Sequence, residues 1–96
     1  MNDQTRISEL WHIEGRVQGV GYRAFTTSKA KEFGLDGWVR NRTDNKVEAL
    51  IAGTKADLDA LYDACMDGPP AANVEKITRT PAEDMPKEGF YSVPSA

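Results

Sequence analysis

The residues best equipped for chemistry lie in one stretch, Gly15-Arg16-Val17-Gln18-Gly19-Val20-Gly21-Tyr22-Arg23. Glycine lets a backbone turn sharply and lets a ligand approach its N–H groups. A helix that begins at the end of such a run offers unpaired N–H groups and a partial positive charge, which together make an anion site. Arg23 would add a planar fork of donors suited to a phosphate. The expected ligand is therefore a phosphoryl group. The glycines alone fit a tight strand-to-helix crossover equally well. Gln18 and Arg23 favour the cradle, because a turn made only for its shape has no use for either side chain. Dinucleotide spacing fails, since Ala24 stands where G-x-G-x-x-G requires its last glycine, and no G-K-[ST] follows for a P-loop.

The other reactive residue types carry less. His12, the sole histidine, has no cysteine or carboxylate at metal-ligand spacing and reads as a structural or surface residue. Cys65, the only cysteine, falls on an apolar helical face and reads as a small packed hydrophobe; a disulfide within the chain is excluded. No serine or cysteine has the setting of a nucleophile elbow. Asp59, Asp63 and Asp67 recur on one side of the same segment, with Asp57 nearby, and read as a solvated face. Trp11 and Trp38 could stack a ligand, but half-buried strand positions explain them more simply. Arg40 and Arg42 either raise the potential for an anionic substrate or occupy the solvent side of a hairpin.

The elements that must position the loop read in the order β-α-β-β-α-β. Residues 1–6 form a loose terminus and 7–14 a strand, in which Ile7, Trp11 and Ile13 share a face that Glu9 interrupts. Tyr22, Thr26, Ala30 and Phe33 recur at helical spacing, and Gly34 stops that helix. Residues 35–41 and 47–52 make a hairpin whose turn carries Asp44 and Asn45, with Gly53 ending it. Thr54 caps a second helix with Leu58, Leu61, Tyr62 and Cys65 on one face; Gly68 and two prolines stop it. Residues 73–80 form the fourth strand, 81–89 a loop, and 90–93 a short fifth edge strand. This predicts an α+β, ferredoxin-like sandwich: one domain over residues 1–96, an antiparallel sheet and two helices on one face. With 40% hydrophobic and 28% charged residues the chain reads as an ordinary soluble domain, and its net charge of −3 argues against nucleic acid or anionic membrane as a partner. No apolar run suits a membrane span or a signal peptide, so a cytoplasmic location and a monomeric state are expected.

The glycine stretch resembles the signature of the acylphosphatases, small ferredoxin-like hydrolases of acyl phosphates. Gly37-Trp38-Val39-Arg40-Asn41 followed by Asp44, Val47-Glu48 and Gly53 is a second match, and Gly68-Pro69-Pro70-Ala71 with Val74 a third. The resemblance implies phosphate binding by Val17, Gln18, Gly19, Val20, Gly21, Tyr22 and Arg23, with Arg23 the principal side chain. It implies that Asn41 positions the attacking water, and that no metal or organic cofactor takes part. Two departures stand out. Asn45 replaces a glycine common after the turn aspartate, which it can do because asparagine accepts positive φ. The segment 89–96 lacks the charged residues often found after the family's last strand.

The implied chemistry is self-consistent. The leaving group is a carboxylate whose acid has a pKa of about 4, so little protonation is needed at neutral pH. Phosphoryl transfer then requires charge stabilisation and an in-line nucleophile, and an asparagine amide can orient water through its carbonyl. The expected activity is that of an acylphosphate phosphohydrolase, with inorganic phosphate as product and competitive inhibitor. A non-catalytic phosphate-sensing or carbamoyl-phosphate-handling domain is the alternative. RNA binding is disfavoured by the absence of the aromatic RNP pattern.

Overall fold

Alternation in the first strand dictates the layers. The computed structural model describes residues 5–96, in the order β1 (Arg6–Arg16), α1 (Tyr22–Glu32), β2 (Asp36–Asn41), β3 (Val47–Thr54), α2 (Lys55–Asp67), β4 (Asn73–Ala82) and β5 (Phe90–Ser92). Trp11 and Ile13 on β1 are fully buried, whereas Leu10 and His12 are only half-buried. One sheet face therefore carries the core, where Trp11 and Ile13 join Val39, Val47, Ala49, Ile51 and Ile77. Helix α1 packs on β2 and β5, α2 on β3 and β4, and the helices touch each other, so both lie on that face.

The sheet order is β4-β1-β3-β2-β5. The four long strands pair antiparallel as the ferredoxin-like reading requires, and β5 adds to β2 in parallel, which makes the sheet mixed. Central placement explains β3: flanked on both sides, every residue from Val47 to Gly53 is buried. Gly53 thus lies inside the strand rather than ending it, and a Cβ there would come within 2.2 Å of Leu35. Strand β4 also outruns expectation, continuing through Pro81 to Ala82. Proline is tolerated because β4 is an edge strand. The loop after it shrinks to 83–89. Arg6 pairs with Thr54 and belongs to β1; of the rest of the expected loose terminus, Thr5 lies outside any strand or helix and residues 1–4 lie outside the described residues.

Glu9, which interrupts the apolar row of β1, is held by a specific arrangement. Its carboxylate accepts from the Trp11 indole at 2.9 Å and from Arg79 at 2.8 Å. The Arg79 guanidinium lies 5.2 Å from the Trp11 ring centroid and 5.1 Å from that of Tyr62, and also donates to Asp59. A charged layer thereby closes that end of the core over its aromatic rings. Asp59 is engaged by Lys55 as well, and the hydrogen bonds from Lys55 and Arg79 hold its carboxyl below the usual range.

Helix ends follow their sequence signals. Thr54 Oγ1 accepts from the Asp57 N–H, and Gly68 ends α2. Helix α1 closes with Gly34 N–H on the Lys31 carbonyl and Leu35 N–H on that of Ala30, a Schellman pattern. Asn45 adopts φ 68°, so the hairpin turn survives the loss of glycine.

Candidate active site

The site begins at an irregularity in β1. The β1–β4 register shifts between Glu14 and Gly15, and a bulge of this kind bends a strand and re-aims the residues beyond it. Gly15 has φ 121°, and a Cβ there would lie 2.3 Å from the Asn73 carbonyl oxygen; only glycine allows β4 to approach so closely. Past the bulge the chain alternates. Val17 and Tyr22 are buried and Val20 packs partly against the core, while Gly19 and Gly21 face outward. The apolar residues pin the loop, leaving backbone at its surface.

Gly21 is the N-cap of α1, in left-handed conformation (φ 78°), and supplies no side-chain cap; no acidic residue occupies the first turn. The N-terminal N–H groups of α1 are thus not neutralised from within the helix. Gly19 and Val20 make no hydrogen bond to any described residue. Tyr22 anchors the helix start from beneath, its hydroxyl donating to the Cys65 carbonyl at 2.8 Å. Burial, reinforced by Cys65, pushes the Tyr22 phenol far above its ordinary value, so it is no proton donor to a substrate. Cys65 is itself buried, with its thiol pushed up to about 11 by desolvation.

Arg23 and Asn41 arrive from different elements. Together with Val17, Gly19, Gly21, Tyr22 and Ala24 they line one hollow of about 180 Å³. Arg23 makes no hydrogen bond or ion pair with a described side chain. Asn41, the last residue of β2, presents a buried Oδ1 with no hydrogen-bond partner. A buried carbonyl oxygen left so costs roughly 1–3 kcal/mol, and Asn41 forms part of the wall that Arg23 also lines.

The side chain of Gln18 is engaged within the protein. Its amide nitrogen donates to the carbonyls of Arg42 and Lys46, both at 2.9 Å. The side chain ties the loop to the hairpin that carries Asn41, leaving only the backbone of Gln18 for an anion. Arg40 and Arg42 do not line the hollow. They converge on Glu48 of β3, Arg40 on Oε1 at 2.7 Å and Arg42 on Oε2 at 3.1 Å, with His12 Nε2 at 2.9 Å from Oε2. Desolvation pushes the Glu48 carboxyl up, but the bonds from Arg40 and His12 and the charges of both arginines outweigh it, and the net shift is downward. The sequence signal for this cluster was the alternation that puts Arg40, Glu48 and His12 in one register row.

An α+β sandwich with a bulged first strand and a glycine loop leading into an uncapped helix N-terminus belongs to the ferredoxin-like class of folds. The comparisons with known proteins narrow it. The family model for acylphosphatase matches residues 10–92. An acylphosphatase of Rhodospirillum rubrum is 48% identical over 86 residues, covering 90% of this chain and 94% of that protein. The crystal structure of acylphosphatase from Bacillus subtilis superposes with a TM-score of 0.84 at 33% identity, covering 91% of this chain and 97% of that one. Full-length HypF, in its phosphate- and nucleotide-bound form, matches with a TM-score of 0.88 at 25% identity, covering 98% of this chain but 12% of that one. The chain belongs to the acylphosphatase family and is an enzyme of that family.

Proposed function

We propose that this protein hydrolyses the carboxyl–phosphate bond of acyl phosphates, with a water held by Asn41 attacking in line a phosphoryl group held by Arg23 and the loop N–H groups of residues 17–23. The observation that carries the proposal is one hollow that brings together Arg23, with its side chain uncommitted, the uncapped helix start, and Asn41, whose buried amide oxygen has no partner. The guanidinium and N–H groups meet charge on the equatorial oxygens. Asn41 Oδ1 accepts a hydrogen bond from the water and so aims its lone pair at phosphorus. Asparagine is no base, so the proton passes to the phosphate or to solvent as the P–O bond to the carboxylate breaks. The carboxylate departs without a general acid.

The test is release of phosphate from benzoyl phosphate without added metal, with inorganic phosphate as a competitive inhibitor. Arg23→Lys keeps the charge but loses the bidentate fork, and turnover should fall by about 10²–10³-fold with folding unchanged. Near-wild-type turnover in that variant would remove Arg23 from its role. We also take the protein as a cytoplasmic monomer. Its single thiol is buried and, among the large hydrophobic side chains of the described residues, only Met85 and Tyr91 are exposed. A light-scattering mass well above 10.6 kDa would contradict the monomer.

A further inference from the structure

The hollow opens along α1. Arg23 and Ala24 also line a groove of about 520 Å³ that runs past Thr27 and Ser28 to Lys31, with Ser92 of β5 on its far wall. Arg23, Thr27 and Lys31 stand at i, i+4 and i+8, one face of one helix, spanning about 12 Å of its axis. The two lysines of the last helical turn differ. Lys29 lies near Glu32 and over the Phe25 ring. Lys31 is exposed and its side chain makes no hydrogen bond or ion pair among the described residues. A protein of net charge −3 thus keeps two uncommitted cations at the two ends of one groove.

We infer that this groove is the acyl subsite of the proposed hydrolase, and that Lys31 selects acyl phosphates whose acyl group ends in a second anion. The inference rests on the acyl-phosphate reading above and extends it. With the phosphoryl group at Arg23, an acyl chain that follows α1 passes the largely apolar floor at Ala24 and brings a distal carboxylate or phosphate to Lys31. The four-carbon lysine stem shortens the axial span, so a rigid spacer the length of one benzene ring suits it. A neutral acyl group gains nothing from Lys31, and the interaction, being near the surface, weakens with salt.

The experiment compares kcat/KM for 4-carboxybenzoyl phosphate and benzoyl phosphate in the wild type, Lys31→Met and Lys31→Glu. Taking the ratio of the two substrates within each protein, and comparing ratios between proteins, cancels their intrinsic reactivity. Lys31→Met should lower the ratio by about two- to five-fold, the range of one exposed ion pair. Lys31→Glu should lower it further, and raising ionic strength should shrink the wild-type preference. A ratio unchanged in both variants overturns the inference while hydrolysis itself stands. A wild type that hydrolyses neither compound overturns the acyl-phosphate reading, and the subsite with it.

Discussion

Replacing Gln18 with alanine separates holding the fold from holding the site. The amide makes two hydrogen bonds of 2.9 Å to the hairpin. The Lys46 carbonyl keeps the Arg42 N–H at 2.8 Å, so the Arg42 carbonyl is the one left without its partner. At about 1 kcal/mol net for each bond, Gln18→Ala should cost about 1–2 kcal/mol. For a domain of this size that lowers Tm by about 5–15 °C, leaving the protein folded at 25 °C. Activity should fall more than stability suggests. The loop carries Arg23 and the hairpin carries Asn41, and a misplacement of about 1 Å between reacting groups can cost about 10²-fold. We expect kcat/KM for benzoyl phosphate to drop by about 10- to 100-fold, measured per folded molecule after urea and thermal melts. Gln18→Glu, similar in volume but turning an acceptor toward two carbonyls, should do worse on both counts. If Gln18→Ala loses the predicted stability and keeps wild-type kcat/KM, the amide braces the fold alone and the tie to catalysis is refuted.

Asn41→Ala removes an unpartnered buried oxygen, so stability should hold within about 1 kcal/mol while hydrolysis falls at least a hundredfold by initial rates; a marked loss of stability would show that Asn41 is structural. Glu48→Gln should cost about 2–3 kcal/mol at pH 7, since three cationic or imidazole partners lose a carboxylate. The Glu48 carboxyl titrates below its ordinary 4.5 in the folded state, so its stabilisation is complete above that value and lost as pH falls through the depressed one. Urea midpoints of wild type and variant should therefore converge below about pH 4, and a constant gap down to pH 2 would disprove the coupling. Gly15→Ala should prevent folding by circular dichroism, its methyl meeting backbone at 2.3 and 2.7 Å, whereas Gly19→Ala, with nothing within 4 Å and only φ 73° against it, should fold at a cost of about 1–2 kcal/mol.

Element order was legible because each helix and turn carries its own local signal: Thr54 with Asp57, Gly34, Gly68, and Asp44 with Asn45. The loop was legible because its glycines and Arg23 are contiguous. The features that sequence reading missed depend on partners distant in the chain. Nothing local shows that β4 is an edge strand able to run through Pro81, that Gly53 is enclosed by Leu35, or that β5 adds to β2 in parallel. The side-chain partners of Gln18 were hidden for the same reason. A polar side chain beside an anion loop reads as a ligand contact, and only the folded hairpin reveals two carbonyls waiting for its amide. Arg40 and Arg42 could be read as field for a substrate or as the solvent side of the hairpin, and the sequence does not show that both pair with Glu48 on the neighbouring strand.

The contact beneath the loop makes Cys65 a built-in clock. Its sulfur lies 3.9 Å from Thr26 Oγ1, its carbonyl holds the Tyr22 hydroxyl, and its own side chain is sealed between the helices. A thiol both inaccessible and largely protonated reacts with an alkylating reagent only in molecules where α1 has lifted from α2. The labelling rate then counts how often the helix at the proposed anion site detaches from its support, a motion invisible to an assay of turnover. Anion binding at that helix start should slow the count in proportion to occupancy.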